Sequence, residues 1–119
     1  MGYVLVKFDS NWADEMPIDG HLVLTDEEYE NFKEAISFVF ESLKERKGRT
    51  GYYDCVEITV GTNEGLIYEN EEEFLQCLSF VEIDNLQRKE LRDMNLLSRG
   101  FMNNIYGQIL DQAEEAKNA

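Results

Sequence analysis

Between Thr50 and Gln87 the chain contains no lysine and no arginine, although Asp54, Glu57, Glu64, Glu69, Glu71, Glu72, Glu73, Glu82 and Asp84 all fall there. Bare nucleic acid would be repelled by such a stretch, whereas a basic partner would meet an unneutralised negative field. Other scarcities narrow the chemistry. With His21 as the one histidine, a zinc site built from several imidazoles is excluded. Cys55 and Cys77 are two isolated thiols without CxxC spacing, which reads as sheet or core positions in a reducing compartment. The single proline, Pro17, falls in a turn-rich loop that feeds the second predicted strand. No window approaches eighteen apolar residues, and the start Met1-Gly2-Tyr3-Val4 lacks the basic and long apolar segments of a secretory signal, so the expectation is a bacterial cytosolic protein with no membrane contact. Gly2 is not a myristoylation signal, because Val6 occupies the hydroxyl position.

What is present suits one folded domain. The chain has 119 residues, 43% of them hydrophobic, which is enough for one core. Its formal net charge of -14 exceeds the range of about 2–8 expected for a small soluble domain. High acidity also favours solubility, but here the signs are segregated: of eleven bases, six precede the base-free stretch and five follow it.

Hydrophobic periodicity orders the elements. Tyr3–Phe8 is apolar and β-prone, as for a central strand, and a turn-rich loop leads to a second strand at His21–Leu24. Thr25-Asp26-Glu27-Glu28 forms a capping box before a helix whose stripe is Tyr29, Phe32, Ile36, Val39, Phe40 and Leu43, ending at Lys47 with a turn over Gly48–Gly51. Asp54–Val60 alternates as a strand with Val56, Ile58 and Val60 inward, and a short connection leads to a strand at Leu66–Tyr68. Asn70 caps a short helix, Ser79–Ile83 is a last strand, and Asp84 caps a charged helix to about Asn95. From Ser98 an amphipathic helix carries Phe101, Ile105, Ile109 and Ala113 on one side; residues 1–2 and 114–119 are expected to fray. The predicted fold class is α+β: a single domain, residues 1–119, with a mostly antiparallel sheet of about five strands and helices packed on one face. Glu57, Thr59, Phe80 and Glu82 are then expected to share the opposite, exposed face.

No catalytic signature accompanies this frame. The Asp9–Ala13 segment lacks the glycine and terminal glutamate of a calcium loop, and no Walker or Rossmann glycine pattern occurs, so neither a metal nor a cofactor is expected. A thiol paired with His21 has no support from spacing, and a chain this short offers little room for the deep cleft that a carboxylate pair acting on a glycoside needs. The basic run Lys44–Arg49 suits a helix C-terminus. Trp12 between Asn11 and the acids Asp14 and Glu15 offers a large ring of the kind enriched at binding hot spots. Glu71, Glu72, Glu73 and Asp84 are accounted for by helix starts, which leaves Glu57, Glu64, Glu69 and Glu82 on strands and turns.

The strings Ser10-Asn11-Trp12-Ala13-Asp14-Glu15-Met16 and Gly61-Thr62-Asn63-Glu64 resemble those of small uncharacterised acidic proteins of bacteria, phages and plasmids. In size and charge the chain also resembles phage-encoded anti-defence inhibitors, the anti-CRISPR and anti-restriction proteins that mimic DNA. That resemblance implies a non-enzymatic inhibitor occupying the basic surface of a nucleic-acid-binding enzyme; by their own places on strands, turns and the Trp12 loop, Trp12, Asp14, Glu15, Glu57, Glu64, Glu69, Phe80 and Glu82 are the expected contacts. An immunity protein capping a basic toxin nuclease, and an interaction module with a merely solvated acidic face, are the other readings of the same composition.

Overall fold

Alternating burial along the first strand decides the layering. In β1 (Tyr3–Ser10) Val4, Val6, Phe8 and Ser10 are buried while Lys7 and Asp9 are exposed, so every second residue faces the helices. The computed structural model describes residues 2–10, 18–50, 55–60 and 64–118, without the side chains of 46–50 and 64. β1 pairs antiparallel with β2 (Ile18–Thr25), from Tyr3 opposite Thr25 to Ser10 opposite Ile18, so this hairpin is longer than the hydrophobic runs alone suggest. On its other side β1 pairs with β5 (Leu78–Ile83), and β2 pairs with the three-residue β6 (Ser98–Gly100). The resulting antiparallel sheet has the order β5-β1-β2-β6. β3 (Val56–Val60) and β4 (Glu64–Tyr68) form a separate two-stranded sheet. The α+β class is as expected, with the strands divided four and two.

The long helix α1 (Asp26–Thr50) starts at the expected capping box: the Thr25 N–H donates to Glu28 Oε1 at 2.9 Å and the Glu28 N–H to Thr25 Oγ1 at 3.1 Å. It continues two residues past Gly48, since one interior glycine costs only about 1 kcal/mol and does not by itself end a helix. Phe32, Ile36, Val39, Phe40 and Leu43 are all buried. Against them pack Met102, Ile105, Ile109 and Ala113 of α4 (Met102–Lys117). Phe101 is excluded from that stripe, lying outside the helix and 36% exposed, because Ser98–Gly100 is a strand rather than a first helical turn. Val56, Ile58, Val60, Leu66 and Tyr68 of the hairpin join the same core, as does Phe74 of α2 (Glu71–Leu75), whose ring lies 5.9 Å from Phe40 and 5.1 Å from Tyr68.

The hairpin's outer β3 edge is closed by side chains. Gln108 receives the Thr59 N–H at 2.8 Å and donates to the Thr59 carbonyl at 2.7 Å, while Gln112, one turn later, donates to the Glu57 carbonyl at 2.9 Å. Two glutamines on α4 thereby replace a neighbouring strand.

The outer face of the four-stranded sheet carries α3 (Asn85–Asp93), none of whose side chains is buried. Asp84 and Gln87 cap it reciprocally, as expected. It ends in a Schellman turn: Asn95 adopts φ 58°, its N–H donates to the Arg92 carbonyl, and the Leu96 N–H donates to the Leu91 carbonyl at 2.7 Å. His21 Nε2 then bonds the Leu96 carbonyl at 2.8 Å, which ties the turn to the sheet and gives this histidine a structural role.

Gly100 sits at φ 67° opposite Gly20, and a Cβ there would lie 2.3 Å from the Asp19 carbonyl oxygen. Gly100→Ala is therefore expected to destabilise the fold by about 2 kcal/mol or more. Gly107→Ala, in α4 with nothing within 4 Å of its Cβ position, should instead stabilise by about 0.5–1 kcal/mol. Denaturant unfolding of the two variants checks both signs.

Candidate interaction surface

The exposed side of α1 is set by its buried stripe. With Phe32, Ile36, Val39 and Phe40 turned inward, Glu30, Lys33, Glu34, Ser37, Phe38 and Glu41 must face out, and they line a shallow groove of about 510 Å³. Phe38 is 36% exposed within it, an aromatic off the apolar stripe, and the Lys117 ammonium lies 5.5 Å from its ring centre. A second depression of about 470 Å³ is lined by Glu71, Glu72, Leu75 and Gln76, with Leu75 39% exposed. Ser37 Oγ donates to Glu71 Oε1 at 3.0 Å, so the two depressions adjoin across the α1–α2 boundary. Lys33 pairs with Glu30 at 3.2 Å and Lys44 with Glu41 at 3.8 Å, which tempers the charge on α1. Among the described residues no base lines the α2 depression.

Local structure explains the three glutamates of α2 unequally. Asn70 Oδ1 accepts the Glu73 N–H at 2.9 Å and Glu73 Oε2 accepts the Glu69 N–H at 3.2 Å, so Glu73 serves the helix start. Glu71 reaches α1, and Glu72 faces the depression. All three nonetheless lie in the first turn of α2, where the helix dipole favours carboxylates.

Among the described residues, those singled out from sequence fall into two groups, Glu57 and Glu69 on the hairpin and Phe80 and Glu82 on the four-stranded sheet. Glu57 is exposed on the hairpin, its carboxylate lying over Gly65, where a Cβ would come within 2.8 Å of Glu57 Oε1. Glu69 is exposed just beyond β4. Glu64 opens β4 opposite Val60, and its side chain is outside the described residues. Glu82 is exposed on the other sheet, where it shares a depression with Asp26 and Asp84. Phe80 is turned inward, pairs with Val6 in the register, and stacks on Tyr29 at 5.1 Å. Trp12, Asp14 and Glu15 lie outside the described residues.

A shared acidic sheet face is therefore not formed. Glu57 and Thr59 belong to a different sheet from Phe80 and Glu82, and the two-residue period of β5 turns Phe80 toward α1. The true outer face of the four-stranded sheet carries a cross-strand row of Ser79, Lys7, His21 and Arg99, with Arg88 4.8 Å from the Tyr3 ring. Glu34, Ser37, Phe38, Glu41 and Leu75 are the surface residues that sequence reasoning passed over, and Phe38 alone carried a visible signal, being an aromatic outside the helical stripe.

Among the described residues no group of three histidine, cysteine, aspartate or glutamate side chains converges as metal ligands, and no described helix is long and apolar enough to cross a membrane. Beneath the hairpin the buried Tyr68 hydroxyl contacts Cys77 Sγ at 3.6 Å. No protein-family model, curated protein or solved structure matches the chain.

Burial first, and the Cys77 contact second, raise the Tyr68 hydroxyl well above its ordinary value of 10.0. A raised acid stays neutral in the folded state while the unfolded chain ionises. Its stabilising contribution is complete below about pH 10 and is lost as the pH rises through the folded value. Tyr68→Phe should therefore flatten the alkaline decline of stability, as measured by urea unfolding across that range.

Proposed function

We propose that this protein is a non-enzymatic inhibitor that uses its carboxylate surface on α1, α2 and the hairpin to occupy the basic nucleic-acid-binding surface of a partner. The observation that carries the reading is the junction made by Ser37 and Glu71, which joins two carboxylate-lined depressions, each with an exposed apolar side chain, Phe38 or Leu75. Interfaces of this kind combine an apolar anchor with surrounding charge, the charge accelerating encounter and selecting the sign of the partner. The absence of any base between Thr50 and Gln87 leaves the α2 and hairpin part of the surface without its own counter-charges. Duplex DNA displays a negative charge about every 1.7 Å of its axis, so a groove built for DNA accepts rows of carboxylates.

The outer sheet face, with Lys7, His21 and Arg99, is not part of this surface. The acidic surface would serve equally a phage inhibitor of host defence and an immunity protein against a toxin nuclease. The identity of the captured partner separates these two.

Pull-down from bacterial lysate at low and at physiological salt tests the proposal. Capture should fall steeply with salt, and joint reversal of Glu34→Lys, Glu71→Lys and Glu72→Lys should weaken it by at least about tenfold. Glu82→Lys, in a separate depression, should leave it within about twofold. Capture indifferent to both salt and the triple reversal would sink the idea.

A further inference from the structure

The ladder between β3 and β4 assigns every backbone group of the hairpin to one side or the other. Because Thr59 and the Glu57 carbonyl bond outward to Gln108 and Gln112, the pairs Glu57–Ile67 and Thr59–Gly65 are those that do not exchange backbone hydrogen bonds. The amides and carbonyls of Gly65 and Ile67 consequently project from the opposite edge of β4. Among the described residues, no strand pairs there and no hydrogen bond reaches those groups. The hairpin is thus closed along β3 by two glutamines and open along β4.

Chemistry at this edge is specific in sign. Ile67 is 49% exposed on the outer face of the hairpin. Gly65, having no side chain, lets the Glu57 carboxylate cross over β4 toward the open edge, and Glu69 is exposed at the strand's end. The open edge therefore presents backbone donors and acceptors, one apolar side chain and carboxylates. The other long free edge differs: beside β5 lie Lys7 of the neighbouring strand on one face and the exposed Glu82 on the other, so its charge is mixed.

We infer that the open edge of β4 receives an extended basic segment of the partner protein as an added strand, its apolar residue against Ile67 and its lysines or arginines beside Glu57 and Glu69. Backbone hydrogen bonds hold such a segment, and the alternating side chains select it. This inference rests on the acidic-surface reading and adds to it the conformation and side-chain pattern of the bound segment.

A synthetic peptide with lysine, valine and lysine at successive alternate positions, separated by threonines, serves as the probe with the 119-residue chain, because positions 65, 67 and 69 lie on one face of the strand. Titration should give saturable binding, and hydrogen exchange of the Gly65 and Ile67 amides should slow by about tenfold or more in the complex. The same peptide N-methylated at alternate backbone nitrogens should bind about tenfold more weakly. Gly65→Ala, which displaces only the flexible Glu57 carboxylate, should weaken the unmodified peptide about threefold with the fold intact by circular dichroism. Equal binding of the two peptides, protection confined to other amides, or no binding of the unmodified peptide overturns the added strand. Equal, salt-sensitive binding of both peptides would leave the acidic surface standing, whereas salt-indifferent capture of the natural partner would remove that reading itself.

Discussion

The structure depends on α1 burying one continuous apolar stripe against two different sheets at once. Along that stripe Phe32 meets Tyr106 of α4, at 5.3 Å between ring centres, and Phe40 meets Phe74 of α2. The four-stranded sheet contributes Val4, Val6, Phe8 and Leu24, and the hairpin Val56, Ile58, Val60, Leu66 and Tyr68, to the same cluster. A two-stranded hairpin alone is marginal in water, so β3 and β4 persist because helix side chains cover one face and α4 glutamines close one edge. Removing a buried aromatic from such a cluster costs about 3–5 kcal/mol, a large part of the stability of a domain this size.

The surface follows from the same constraint. Turning the stripe inward forces Glu30, Glu34 and Glu41 outward on the opposite side of α1. The short α2, seated by Phe74, adds Glu71 and Glu72 beside them. Bases lie on both sides: Lys33 and Lys44 pair with glutamates on α1 and Lys117 lies over Phe38, while Lys7, His21 and Arg99 form a row across the outer sheet face and Arg88 lies over Tyr3. Exposed pairs such as Lys33–Glu30 are screened by solvent, so they reduce the field of the acidic side more than they stabilise the fold.

Much of the fold was legible because local signals agreed with one another. The boxes at Thr25 and Asp84 and the cap at Asn70 each formed where side-chain chemistry demanded, and the periodicities of α1 and β3 named their buried faces correctly. Errors arose where a local signal had two solutions. Gly48 read as a helix stop, yet α1 passes it; Phe101 read as a helical position, yet the close Gly20–Gly100 approach makes its neighbourhood a strand. For β5 the alternation is legible but its direction is not, since an isolated strand with apolar residues on both sides gives no sign of which side faces the helices, and Phe80, expected outward, faces α1. The sequence identifies Trp12, Asp14 and Glu15 as candidates, and they lie outside the described residues.

By itself the sequence determined the α+β class, the caps, the buried stripes of α1 and β3, and a long segment with negative charge and no base, because all of these depend on residues near one another in the chain. Only the tertiary structure decided how the strands divide into two sheets, which edge of the hairpin is closed, and which carboxylates become neighbours. Those outcomes rest on pairings such as Gln108 with Thr59 and Ser37 with Glu71, separated by 49 and 34 positions. No local periodicity encodes such meetings, since they exist only after the apolar stripe of α1 has drawn the helices and both sheets around it.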